Sequence, residues 1–245
     1  MRKILFLPIL LVVFNSGAQI ITDDSETGKQ KEAPEKTKEP KEKSGFELYF
    51  GASPSYTFRT LTPNDNIFGE ELGEREFEEA AWTTSFAAGV RSELNKNLLF
   101  EIGVGYTSNR ETYDFTETDS VYRYINTYRH ISFPIRVAYT YGEEISFYGG
   151  IGVMPKAFLS LKREITTLDL NDNEVTEDVI VKDKFNFFVI DAIATLGTRI
   201  QLNPHYGIFA MVEGRRQLTN NYNEQGPYIR KPYAFGFNFG IQIYL

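Results

Sequence analysis

His130-Ile131-Ser132 sets a base and a hydroxyl two residues apart. In an extended strand that spacing puts both side chains on one face. Such a pair could begin a nucleophilic site, in which the base must reach the hydroxyl and an acid must orient the base. Here the pair belongs to the alternate set of its strand opposite the apolar one, so both groups are expected to point into a protein interior. We expect no catalytic residues, and no enzyme.

Asp169, Asn171 and Asn173 fit the first three ligand positions of a calcium loop. The sixth position of such a loop calls for Gly, to make a sharp turn, and the twelfth for Glu. This chain has Glu174 and Ile180 there. The stretch is expected to be a solvated acidic loop, as is Gly69–Ala80. No metal and no other cofactor is expected. His205 sits in a turn and is expected at the surface.

A further set of charges recurs on one alternate face: Glu47, Arg91, Glu93, Glu101, Arg136, Lys156, Asp191, Arg199, Glu213 and Arg215. Five are cationic and five anionic. A selectivity ring would carry one sign, whereas a balanced set implies pairing across an interior that does not conduct. If Leu94 lies opposite Leu98, Arg91 falls opposite Glu101. Lys156 and Asp191 fall at similar heights on neighbouring strands.

The elements that position these charges follow a period of two. Strands are expected near 46–58, 83–94, 98–109, 124–139, 145–162, 185–202, 206–218 and 232–245. One alternate set is apolar throughout, as in Phe100, Ile102, Val104 and Tyr106, or in Ile145, Phe147, Ile151, Val153, Leu159 and Leu161. No amphipathic helix is evident after the first residues. Short turns at 95–97, 140–144 and 203–205 are of hairpin length. Long connections near 59–82, 110–123, 163–184 and 219–231 alternate with them. Short turns on one rim, long loops on the other and an even strand number describe an all-β, eight-stranded antiparallel up-and-down transmembrane β-barrel.

Composition agrees with that description. The chain has 245 residues, with 20 Phe, 15 Tyr and 19 Gly, which favours strands. A net charge of −7 argues against nucleic-acid binding, which needs a basic surface. With no Cys there is neither disulfide nor thiol chemistry. Arg2 and Lys3, the apolar run Ile4–Phe14 and the small residues Ser16-Gly17-Ala18 form an expected signal peptide over 1–18. Residues 19–45 alternate Lys and Glu around Pro34 and Pro40, and are expected to be a disordered periplasmic arm. The barrel is assigned to 46–245.

Alternation alone does not say which face is outside, because a soluble barrel alternates too. The face opposite the apolar set decides it. Besides the charges it is rich in small residues, Gly51, Ser53, Ser55, Gly89, Gly103, Gly105, Gly150, Gly152 and Gly240, where a water-facing surface would carry Lys, Glu, Thr and Gln throughout. Small residues suit the crowded interior of an eight-stranded barrel. The strands reach the length of about 9–11 residues that a tilted bilayer crossing needs. The apolar face is therefore expected against outer-membrane lipid, with a closed barrel pairing every backbone group. Tyr139, Tyr141, Tyr206 and Tyr244 are expected to form one interfacial girdle, and Trp82, Tyr228 and Tyr233 the other.

The last residues, Asn238-Phe239-Gly240-Ile241-Gln242-Ile243-Tyr244-Leu245, resemble the C-terminal assembly signal of outer-membrane barrels, with Asn238, Gly240, Ile243 and Leu245 at its defining positions. Leu245 stands where Phe is commonest. The resemblance implies the barrel-assembly machinery as a partner. Phe133-Pro134-Ile135, a short turn, then the Gly-rich strand with Gly149, Gly150 and Gly152 resemble the PorT-like outer-membrane β-barrel family of Bacteroidetes over about residues 46–245. The resemblance implies a fold and brings no catalytic residues. Its name-giving member belongs to a protein secretion system, which implies an accessory role there, with a secretion-system or other envelope protein as partner. Lipid A deacylase barrels pair His and Ser with a carboxylate, but their Asn-Ala-Gly context is missing around His130 and Ser132. The expected location is the cell outer membrane. The expected role is structural or interactive, through long acidic external loops.

Overall fold

The alternation is realised as ten strands and, among the described residues, no helix. The computed structural model describes residues 45–72, 75–117 and 120–245. The expected signal peptide and nearly all of the Lys/Glu arm lie outside the described residues. The strands are β1 (Phe46–Pro63), β2 (Glu78–Asn95), β3 (Leu98–Glu117), β4 (Ser120–Ser132), β5 (Ile135–Tyr141), β6 (Ile145–Leu168), β7 (Glu174–Val181), β8 (Phe188–Gln201), β9 (Tyr206–Gln217) and β10 (Tyr228–Tyr244).

They form one antiparallel sheet that closes on itself. β1 pairs with β2 on one side and β10 on the other, and pairing continues through β3, β4 with β5, β6, β8, β9 and back to β10. β4 and β5 are two parts of one stave. They part at Phe133-Pro134, where proline has no N–H to give to a ladder. The break is bridged, because Gly103 N–H donates to Pro134 O at 3.0 Å and Phe133 N–H donates to Pro155 O at 2.8 Å. β7 pairs with β6 alone and stands off the ring. The result is a closed eight-stave antiparallel β-barrel.

The strands outrun the expected boundaries on the long-loop side. The connection expected over 110–123 is mostly ladder, ending at the pair Glu117 and Ser120. The one expected over 163–184 is the hairpin of β6 and β7. Where both faces of a ladder meet water, it carries no apolar alternation and leaves no period-two signal.

The outer wall is apolar, with Phe86, Val104, Ile151, Leu196, Phe235 and Ile241 all half or more exposed. One expected member is displaced. Arg129 pairs with Ser160 but His130 pairs with Phe158, so Leu159 is an extra residue on β6. This bulge shifts the alternation by one. Leu159 stays outside, while Leu161, expected on the lipid face, is 2% exposed and inside. Two girdle expectations also fail. Tyr228 and Tyr244 share the inward alternation of Arg230 and Gln242 on β10, and each turns to a mouth of the barrel. Tyr139, Tyr141, Tyr206, Trp82 and Tyr233 do face outward.

Candidate functional site

The interior is built by the second alternate set. Gly89 and Gly103 face each other on β2 and β3. A side chain at Gly89 would put its Cβ 2.7 Å from the Tyr49 ring. The glycines thus make room for large inward groups: Tyr49, Tyr148, Phe209 and Met211 pack there with Leu99. Arg91 lies over Tyr49 at 4.5 Å and Phe209 at 4.7 Å, a cation held between rings.

From this floor a chain of charges crosses the lumen. Glu47 accepts from Arg199 Nη2 at 2.5 Å through Oε2. Arg199 Nε and Arg91 Nη1 both donate to Gln242 Oε1, at 3.1 and 3.2 Å. Arg91 Nε donates to Glu101 Oε2 at 2.7 Å, and Arg136 Nε to Glu101 Oε1 at 2.6 Å. Arg136 Nη1 reaches Glu213 Oε2 at 3.4 Å. Ser53 and Asn238 also donate to Glu213, at 3.0 and 2.8 Å. Arg215 lies 3.4 Å from Glu213 and donates to Ser55 Oγ at 3.1 Å. Higher up, Lys156 Nζ is 2.7 Å from Asp191 Oδ1 and donates to Gln217 at 3.2 Å.

Nine of the ten expected lumen charges therefore lie in this interior, each with an opposite charge at hand. The tenth, Glu93, is exposed. It has the inward alternation but stands at the short-turn rim, where it lines an open mouth with Glu47 and Lys96.

Sequence reasoning missed a second group of buried charges. Arg59 donates to Glu78 Oε1 at 2.7 Å and lies 2.9 Å from Glu111. Arg230 donates to Glu111 at 3.0 Å and to Asn109 at 2.6 Å, and its guanidinium stacks 3.5 Å from the centre of the Tyr128 ring. Their residues fell in stretches taken for loops. Arg59 continues the alternation of Ser53, Ser55 and Thr57, and Glu111 that of Thr107 and Asn109. That continued alternation was the signal that could have found these two, whereas Glu78 is turned inward by the register shift between Ala80 and Phe86.

Above this group the barrel opens into a cavity of about 520 Å³ at the long-loop rim. Its wall is phenolic, including Tyr113, Tyr122, Tyr124, Tyr128, Tyr222 and Tyr228. Between the two mouths lie two small interior spaces, of about 10 and 30 Å³. The first is barely enough for one water.

His130 and Ser132 point inward, as expected, but form no pair. Ser132 Oγ accepts from Thr107 Oγ1 at 2.7 Å, and the His130 ring packs edge-on against Phe158. Asp169 spends its carboxylate on its own turn, accepting N–H from Asn171 at 2.7 Å and Asn173 at 2.9 Å. These bonds hold its carboxyl below the usual carboxylate range. Among the described residues no cluster of His, Cys, Asp and Glu could hold a metal ion.

Of the expected assembly-signal positions, Asn238 and Gly240 face the lumen. Ile243 is half-buried, and Leu245 is exposed, with its N–H bonded to Phe46 O at 3.1 Å.

An apolar outer wall around a closed, polar-filled ring of eight staves is the architecture of an outer-membrane-type β-barrel. The chain is similar to three solved proteins of that class. Neisserial surface protein A is 11% identical over 82% of this chain and 98% of that one, with a TM-score of 0.41. OprG from Pseudomonas aeruginosa is 12% identical over 83% and 97%, with a TM-score of 0.43. The outer membrane protease OmpT from Escherichia coli is 10% identical over 83% and 98%, with a TM-score of 0.48. The likeness carries no activity across to this chain. No protein-family model matches the chain, and no curated protein does.

Proposed function

We propose that this chain is an integral outer-membrane protein whose barrel is a non-conducting scaffold, acting by interaction through its long-loop rim. The carrying observation is the cross-section at Arg91, Glu101, Arg136 and Glu213. Side chains joined at hydrogen-bond distance fill it, and all four are 5% exposed or less. Outer-membrane lipid covers the apolar wall. The closing strand β10 is the segment offered to the barrel-assembly machinery, and the long-loop rim faces the exterior. The test is conductance of the purified full chain in planar bilayers, with a heat-modifiable gel band as proof of folding. No ohmic step is expected. A sustained step would mean that the lumen is a water-filled pore.

A second reading is an accessory role in protein secretion, as the PorT-like resemblance implies. It rests on that resemblance alone, of which the bridged break at Pro134 is one residue-level feature. Crosslinking in the native membrane separates the two, because recovery of secretion components would favour the accessory role. Lipid A modification draws no support from the interior, where Ser132 is engaged by Thr107 and faces away from lipid.

A further inference from the structure

We propose that a groove on the outer wall holds a phosphorylated, multi-acyl glycolipid of the outer leaflet, with its acyl chains along the floor and a phosphate at Arg216 and Lys231. The proposal deepens the scaffold reading above and rests on it.

The apolar wall is hollowed on one side. Across β8 and β9 the outward residues shrink to Ala192, Ala194 and Gly214, with Ala194 opposite Gly214. A Cβ on Gly214 would meet nothing within 4 Å. Taller residues flank this floor in register. Val153 and Ile151 on β6 stand beside Ala192 and Ala194, and Tyr233 and Phe235 on β10 stand beside Arg216 and Gly214. The flanks lie three strand spacings apart, about 14 Å along the wall. Between them is a groove of about 850 Å³ that ends at Arg216 toward the long-loop rim. Its width admits acyl chains side by side.

Charge chooses the headgroup. Arg216 is exposed, and its Nη2 donates to Thr60 Oγ1 at 3.1 Å. Lys231 is the residue opposite Thr60 on β10 and shares its outward alternation. The two cations thus converge above the groove, and neither meets a carboxylate among the described residues. By contrast, Arg123 and Lys162 near the same rim are engaged by Glu174, Glu164 and Asp178. No outward position of β8, β9, β10 or β1 carries an acid. In a chain of net charge −7 this is a local excess of positive charge. A lipid phosphate supplies the missing anion, and the forked donors of a guanidinium suit it.

The leaflet follows from the rim. Arg110 and Arg129 also face outward toward the long loops, whereas the outward strand positions at the short-turn end carry no cation. The phosphate-rich side of the membrane is therefore the long-loop side, which the scaffold reading makes external. A second copy of this chain docked through the same face would set these cations against their equals, with no acid to meet them.

The test is native mass spectrometry of the purified full chain released from neutral-detergent micelles, with a heat-modifiable gel band as proof of folding. The lipids titrated are diphosphoryl lipid A, its dephosphorylated form and phosphatidylglycerol. Saturable binding of diphosphoryl lipid A is expected, at least about tenfold tighter than of either other lipid. Arg216→Gln should weaken it about fivefold to tenfold. Ala194→Phe, which fills the groove from an exposed position, should weaken it likewise, while Lys96→Gln at the other rim should leave it unchanged. Equal binding of the dephosphorylated lipid or of phosphatidylglycerol, or indifference to Arg216→Gln, would overturn the site while leaving the scaffold reading standing. Dimer peaks in place of lipid adducts would assign the groove to a second copy and overturn the site as well. Absence of the heat-modifiable band would overturn the barrel reading and the site with it.

Discussion

Arg91 and Glu101 stand directly opposite each other on β2 and β3, 2.7 Å apart, with neither side chain exposed. Their register is set from the turn below. Asn95 Oδ1 accepts N–H from Asn97 at 2.9 Å and Leu98 at 3.0 Å, which fastens the hairpin. Asn95, not Leu94, takes the place opposite Leu98, and the irregularity between Glu93 and Asn95 absorbs the difference. Glu101 does more than its partner. It serves Arg136 as well, whereas Arg91 has Gln242 and two aromatic faces to fall back on.

That asymmetry predicts an order of stabilities. Glu101→Ala strands two buried arginines and should cost about 3–5 kcal/mol. Arg91→Ala should cost less, because Glu101 keeps Arg136. The double variant should cost less than the sum of the two. Urea unfolding in micelles, followed by the single tryptophan, Trp82, measures all three. Additive energies would mean that water already screens these charges.

Closure of the barrel depends on two facing glycines, Gly51 and Gly240. A Cβ at Gly240 would stand 2.7 Å from both the Gly51 Cα and the Phe209 ring, and would press on the Phe50 carbonyl. Gly240→Val is therefore expected to abolish the heat-modifiable band, as should deletion of Gly240–Leu245, which strips β1 of partners and opens an edge in lipid. Gly214→Ala should fold normally, since a Cβ there meets nothing within 4 Å.

The tip of the β6–β7 hairpin should respond to acid locally. The Asp169 carboxyl is held low by N–H bonds from Asn173 and Asn171. A depressed folded pKa means that the contribution is present above the unfolded value, about 3.9, and is lost as pH falls through the lower folded value. Protection of the Asn171 and Asn173 amides, taken relative to their intrinsic exchange rates, should therefore fall below about pH 4 with the barrel intact. Asp169→Ala should give the same loss of protection at neutral pH. Global unfolding at the same pH would show that the turn is not the acid-sensitive part.

The proposed orientation predicts opposite accessibility for two turns. An epitope inserted at Asp169–Asn173 should bind antibody on intact cells. One inserted at Asn95–Asn97 should bind only after the membrane is opened. The reverse pattern would turn the barrel over, placing the tyrosine-lined mouth in the periplasm.

The closed eight-stave wall was legible in the sequence. Alternation of period two is a local property, and the glycines opposite the apolar set were enough to tell lipid face from lumen. The inward charges Glu47, Arg91, Glu101, Arg136, Lys156, Asp191, Arg199, Glu213 and Arg215 followed from the same count. Their partners across the lumen did not. Arg199 meets Glu47 from 152 residues away, and Gln242 bridges Arg199 and Arg91. Such contacts depend on strand stagger and on how far each side chain reaches, which alternation does not record. One extra residue, Leu159, reverses the faces beyond it and carries Leu161 inside. Arg59 and Glu111 at the mouth continue the inward alternation of their strands, but their gathering with Arg163 and Arg230 around one cavity was beyond the sequence. Outside the bilayer a strand can have water on both faces, so the ladder runs on without an apolar stripe to mark it, and only the tertiary structure brings those residues around one cavity.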